Sequence, residues 1–164
     1  MTDHGLPHEE LQEELRDLLA LAVAGDHVRW VLVGDAAVEL ADWLADAVLQ
    51  WRGLAHRVSG HLVALGVAPD GRMRSLAKDI SLNWVPEGWL RADEAKRLVA
   101  SRLRIVGEWA CYRRSQATDL DSVQLLDAVC ATLKAQARAA ELMIDVQRTG
   151  VLAPAGRSRD ERSP

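Results

Sequence analysis

Residues 36–65 read "AAVELADWLADAVLQWRGLAHRVSGHLVAL", and the spacing of their apolar side chains decides the fold class. At 100° per residue, Leu40, Leu44, Ala47, Val48, Trp51, Val58 and Leu62 stack on one face,. Glu39, Asp42 and Asp46 lie toward the opposite, polar side. An amphipathic pattern held this long specifies a helix well above the usual length. Gly66 supplies its stop,.

The flanking segments carry the same period. Before it, Leu11, Leu15, Leu18 and Ala22 form one stripe, and Glu9, Glu13, Arg16 and Asp17 face away from it. Pro7 suits a first helical turn, and Gly34-Asp35 ends the segment,. After it comes a long loop, "GVAPDGRMRSLAKDISLNWVPEGWL" (66–90), broken by Pro69, Gly71, Pro86 and Gly88,. One short helix is expected near Ser75–Ile80. A third long helix is predicted over about Arg91–Ala117, on Ala95, Leu98, Leu103, Val106 and Ala110. A fourth follows over about Leu120–Val146, on Leu126, Val129, Leu133, Ala137, Ala140 and Ile144, with N-cap residues in "TDLDS" (118–122),. No strand pattern competes. The expected organisation is a flexible arm over 1–7, a helical bundle over 8–146, and a disordered, weakly basic tail over 147–164.

Composition bounds the function. The chain has 164 residues, 49% of them hydrophobic, and a net charge of −4, so it has no general attraction for nucleic acid,. The longest apolar run, Leu18–Gly25, is too short to span a bilayer, and the acidic N-terminus lacks the apolar core of a secretion signal,. Cys111 and Cys130 show neither CxxC nor finger spacing. They read as unpaired, buried, inert thiols, which favours a reducing cytoplasm, with nucleoid association left open.

Two short-loop helix pairs joined by one long connection close a bundle in the ferritin-like manner. The fold class is therefore all-α: a ferritin-like four-helix bundle with a short extra helix in the long loop between helices 2 and 3. Finer features narrow it. In "DHVRWVLVG" (26–34) a Trp is followed four residues later by Gly; the second helix ends in "LVALG" and runs into "APDG". With "ADEAKRLVASRL" opening the third helix and "DLDSVQLLDAV" opening the fourth, the chain resembles the Dps mini-ferritins over about residues 8–146. The resemblance implies a homo-oligomer (a dimer or the family's spherical dodecamer), iron handling with ferroxidase activity, and in many members DNA protection under stress.

For function the same alignment is awkward. The family's inter-subunit di-iron ligands fall on Arg29, Ala41, Ala45 and Gly60, and an auxiliary Asp on His56. Alanine and glycine offer no donor atoms, and an arginine is permanently positive and offers only N–H groups. Iron needs carboxylates and neutral imidazoles. Arg29 is read either as an interface arginine paired with a carboxylate or as a cation in the vacated metal position. Ala41, Ala45, Arg52 and His56 share one flank of the second helix, a modified dimer surface. The expected role is an assembly, interaction or non-catalytic shell subunit, alone or with a catalytic Dps paralogue, and the balance leans away from an enzyme.

Two alternatives stay open. The first is iron storage at a non-standard site built on His56, or on His4 and His8 beside Glu9 and Glu10,. The second is nucleoid binding through the tail, where Arg148, Arg157, Arg159 and Arg162 outnumber Asp160 and Glu161,. Asp119 and Asp121 read as caps of the fourth helix, and in a closed cage they would also be candidates for lining an ion-entry pore.

Overall fold

The protein is described by a computed structural model covering residues 7–77 and 84–150, with side chains over 8–77 and 84–144. Helix α1 (Pro7–Val31) turns into α2 (Ala37–Ala64), and α4 (Ala92–Gln116) turns into α5 (Leu120–Gly150). A single turn of helix, α3 (Met73–Leu76), lies in the long connection. It overlaps the expected Ser75–Ile80, of which residues 78–80 lie outside the described residues, and Asp70 organises its start: its carboxylate accepts from the Ser75 hydroxyl at 2.7 Å and from the Arg72 backbone N–H at 3.2 Å. Helix α5 continues past the expected end at Val146 through Gly150, so residues 147–150 are helix and not tail. Residues 1–6 and 151–164 lie outside the described residues.

The apolar stripes do what their period requires. Leu11, Leu15 and Leu18 of α1, Leu40, Leu44, Trp51, Val58 and Leu62 of α2, Leu103 and Val106 of α4, and Leu126, Val129 and Leu133 of α5 form one core. The α1–α2 reversal uses Gly34 at φ 93° and Ala36 at φ 62°, a left-handed pair that glycine accepts freely and alanine does not,. Gly25 marks a close approach: a Cβ there would stand 2.7 Å from both Trp51 and Val48, so the Trp51 ring lies against the α1 backbone.

Three features depart from the sequence-based expectations. Two-residue strands do form: β1 (Leu32–Val33) pairs in parallel with β2 (Leu90–Arg91), in the register Leu32 to Leu90. This bridge ties the end of the long connection to the end of α1, and it is too short to show a two-residue period. Second, Cys111 and Cys130 are not unpaired thiols but a disulfide, with Cα atoms 5.3 Å apart,. The tight α4–α5 turn sets them at the same level on facing helices. Both are half-buried. The cysteines therefore no longer argue for a reducing compartment,. Third, Asp17 does not face away. It is 8% exposed and lies with the fully buried Glu14 against α4.

Polar links join the helix pairs. Trp51 Nε1 donates to Gln136 Oε1 at 2.7 Å, and Gln136 Nε2 donates to Gln50 Oε1 at 3.1 Å, tying α2 to α5. Among the described residues no helix is long and apolar enough to cross a membrane.

Candidate functional site

Arg29 sits at the edge of the bundle, its side chain 34% exposed. Its helical neighbour Asp26 is one turn back on the same face, and Asp26 Oδ1 accepts from Arg29 Nη1 at 3.1 Å,. The other oxygen, Oδ2, accepts from Arg52 Nη2 of α2 at 2.5 Å. One carboxylate therefore holds two guanidinium groups from two helices, and the cluster keeps a surplus positive charge. Arg29 Nε is buried and has no hydrogen-bond partner among the described residues. Trp30, the next residue, is 73% exposed.

The companion positions lie along the outer flank of α2. Ala41 and Ala45 are half-buried, while Arg52, His56 and Gly60 are exposed. A Cβ at Gly60 would meet nothing within 4 Å, so crowding does not explain the missing side chain there. Arg52 and His56 also border a cavity of about 330 Å³ between α1, α2 and the loop after α2. Leu15 and Leu19 wall it from α1, Ser59 from α2, and Gly71 from the loop. Among the described residues, no three or more His, Cys, Asp or Glu side chains form a group able to hold a metal ion.

A second charged cluster is buried between α1 and α4, and the helical wheel alone does not show it. Arg113, 4% exposed, donates through Nη1 to Glu14 Oε2 at 2.8 Å and lies 2.8 Å from Asp17 Oδ2. Glu13 and Glu10 stand at 3.6 and 3.8 Å. Burial pushes the Glu14 carboxyl up from 4.5 to about 7, against the pull of Arg113,. Its Oε1 is buried with no hydrogen-bond partner among the described residues. A protonated Glu14 relieves the excess of carboxylates around one guanidinium.

The remaining candidates separate. His61, which has no evident partner in sequence, exchanges a 2.8 Å hydrogen bond with Ser122 Oγ and lies 3.8 Å from Asp119. Asp119 caps α5 as expected, accepting from the Ser122 backbone N–H at 2.8 Å,. The Ser122 hydrogen bonds hold its carboxyl below the usual range. Asp121 is exposed one residue into α5. His8 borders a shallow cavity with Glu9, Glu13 and Asp70, but Asp70 is already engaged by Arg72 and Ser75. His4, Arg157, Arg159 and Arg162 lie outside the described residues, as does the side chain of Arg148.

No family model matches the chain, and neither does any curated protein sequence. Solved structures do. Dps92 from Deinococcus radiodurans aligns with a TM-score of 0.76 at 22% identity, over 81% of this chain and 84% of that one. A C-terminal deletion mutant of Mycobacterium smegmatis Dps gives 0.78 at 21% identity, over 83% and 94%. Dps from Thermosynechococcus elongatus gives 0.75 at 11% identity, over 84% and 89%. The chain has the Dps-like, ferritin-type fold, with the short extra helix between its second and third long helices.

Proposed function

We propose that this chain is a Dps-type mini-ferritin homologue that has given up the inter-subunit di-iron ferroxidase centre and serves as an assembly or non-catalytic shell subunit. The observation that carries the reading is the Asp26 carboxylate clamped between Arg29 and Arg52. The resemblance puts a metal-ligating histidine where Arg29 stands. A guanidinium held there by a neighbouring carboxylate repels an incoming Fe²⁺ and contributes no lone pair to it. Iron in this context is the family's substrate, and the first residues it would meet here are cationic.

The assembly half of the proposal draws on the same flank. Trp30, Val38 and Leu49 are 73%, 75% and 68% exposed. Large apolar side chains left bare on a single chain are expected where a second chain covers them. The small Ala41 and Ala45 between them permit a close helix approach.

Anaerobic addition of Fe(II) followed by oxygen, watched by ultraviolet absorbance, tests the catalytic half. The expected trace has no fast phase. Rapid stoichiometric oxidation that survives Arg29→Ala would overturn the proposal. Light scattering coupled to size exclusion tests assembly: a dimer or larger species is expected, and a strict monomer at micromolar concentration contradicts a shell or assembly role.

A further inference from the structure

The Cys111–Cys130 disulfide crosses the seam between α4 and α5. On one side of it Gly107 packs against α5, where an added Cβ would stand 3.5 Å from Leu133 Cβ. On the other side Arg114 forks onto Asp127, Nε to Oδ1 at 2.7 Å and Nη2 to Oδ2 at 3.3 Å. The turn that joins the two helices takes up residues 117–119 alone. These contacts, with Val106 and Val129 in the shared core, fix the register of α4 on α5. The cysteines therefore face each other, Cα atoms 5.3 Å apart, whether or not their sulfurs are joined. We infer that the Cys111–Cys130 bond is a reversible redox switch, opened by an external dithiol in the folded chain, that sets how firmly the last turns of α4 are held. Neither cysteine lies on the α1–α2 flank used by the assembly reading, so the inference stands apart from that role.

The surroundings suit exchange. Both cysteines are half-buried, which gives an attacking thiolate the access that a fully buried bond denies it. Around the pair the exposed Arg104, Arg114 and Lys134 outnumber Glu108 and Asp127. That surplus attracts an anionic thiolate and stabilises the one that departs. One sulfur of the dithiol attacks a cysteine sulfur, the Cys–Cys bond breaks, and the other cysteine leaves as a thiolate. The second sulfur of the dithiol then attacks its own partner in the mixed disulfide and closes a cyclic disulfide, releasing the remaining cysteine. Two electrons pass from the dithiol to the pair, and its two protons end on the cysteine thiolates. An oxidised dithiol reverses both steps.

The same geometry decides what opening the bond changes. It closes a loop that the α4–α5 turn already closes in the native state, so much of what it adds falls on the unfolded chain. The folded bundle survives its loss, but α4 loses a restraint. Cys111 and Arg113 stand two residues apart, about 200° around the helix. The end of α4 is thus pinned to α5 through sulfur and to α1 through the bonds of Arg113 to Glu14 and Asp17. With the sulfur link open, ion pairs and packing hold this end, and they separate in local openings that a covalent bond forbids.

Amide hydrogen exchange on the full chain, oxidised and then treated with excess dithiothreitol without denaturant, tests the inference. Two thiols per chain should become titratable while circular dichroism keeps its helical signal. Exchange over residues 107–116 and 127–134 should accelerate at least about tenfold, with α2 unchanged. Replacing the reductant by oxidised dithiothreitol should restore both the bond and the slow exchange. A Cys111→Ser, Cys130→Ser double variant should exchange at the fast rate with or without dithiol. The inference is overturned if the thiols appear only once urea has unfolded the chain, which would make the bond a structural staple. It is equally overturned if reduction unfolds the whole bundle, or if reduced and oxidised chains exchange at the same rate along the seam.

Discussion

Replacing Glu14 by glutamine should turn a pH-dependent fold into a pH-independent one across a defined window. Glu14 is fully buried, and burial raises its carboxyl from 4.5 to about 7 in the folded chain. Between those values the unfolded chain releases a proton that the folded chain keeps. Stability is therefore fully present below about pH 4.5, falls as the pH rises to about 7, and is flat beyond, as far as this group is concerned. Each tenfold difference in proton affinity between the folded and unfolded chain is worth about 1.4 kcal/mol, so the whole effect amounts to about 3 kcal/mol. Glutamine has the size and neutrality of the protonated acid, and its oxygen can still accept from Arg113. Urea unfolding of both proteins at intervals from pH 4 to 8 gives the difference curve, in which titrations common to the two cancel. The curves should coincide near pH 4 and separate above pH 7, with Glu14→Gln the more stable by about 3 kcal/mol. A flat difference curve, or a variant less stable than wild type at pH 8, would refute the account of a protonated carboxyl at this interface.

Other perturbations have equally definite outcomes. Arg113→Met strips the cation that Glu14 and Asp17 share, and should cost about 3–5 kcal/mol at pH 7, measured by chemical denaturation, with part recovered in acid. Reduction of the Cys111–Cys130 disulfide, which spans 19 residues, should remove about 3 kcal/mol of stability and lower the Tm, with two titratable thiols appearing only after reductant is added. If the proposed loss of the ligands is the barrier, placing the family's ligand types at all four positions together (Arg29→His, Ala41→His, Ala45→Asp and Gly60→Glu) should produce rapid Fe(II) oxidation, against the absent fast phase expected of wild type; the open space at Gly60 gives the new glutamate room. Continued inactivity in a folded, oligomeric quadruple variant would mean that the lost ligands are not the barrier.

The long helices are legible in the sequence because a helix reports its own buried face. The row from Leu40 to Leu62 is a property of α2 alone, and all of it enters the core. What one helix cannot report is which residue of another stands opposite. The Glu14–Arg113 contact joins residues 99 positions apart, and a wheel drawn for α1 alone sends Asp17 outward. The disulfide likewise depends on the register of α4 against α5, which the turn between them fixes. At the candidate site the Asp26–Arg29 pair has the spacing of one helical turn and is open to reading. The contribution of Arg52 is not, because it depends on how α2 lies beside α1. The β1–β2 bridge is shorter than any repeat that would reveal it.

That bridge bears on the order in which the chain assembles. Each helix pair is a local hairpin, closed by a short turn and quick to form. Joining Leu32 to Leu90 instead closes a loop that contains the whole of α2 and α3, and such closure is slow because its entropy is lost before any contact repays it. The two hairpins should therefore form first and dock last. Docking brings Glu14 and Asp17 onto Arg113 and Trp51 onto Gln136. The slow step of folding is then also the step that takes a carboxyl out of water, so the refolding rate itself should fall as the pH rises through neutrality.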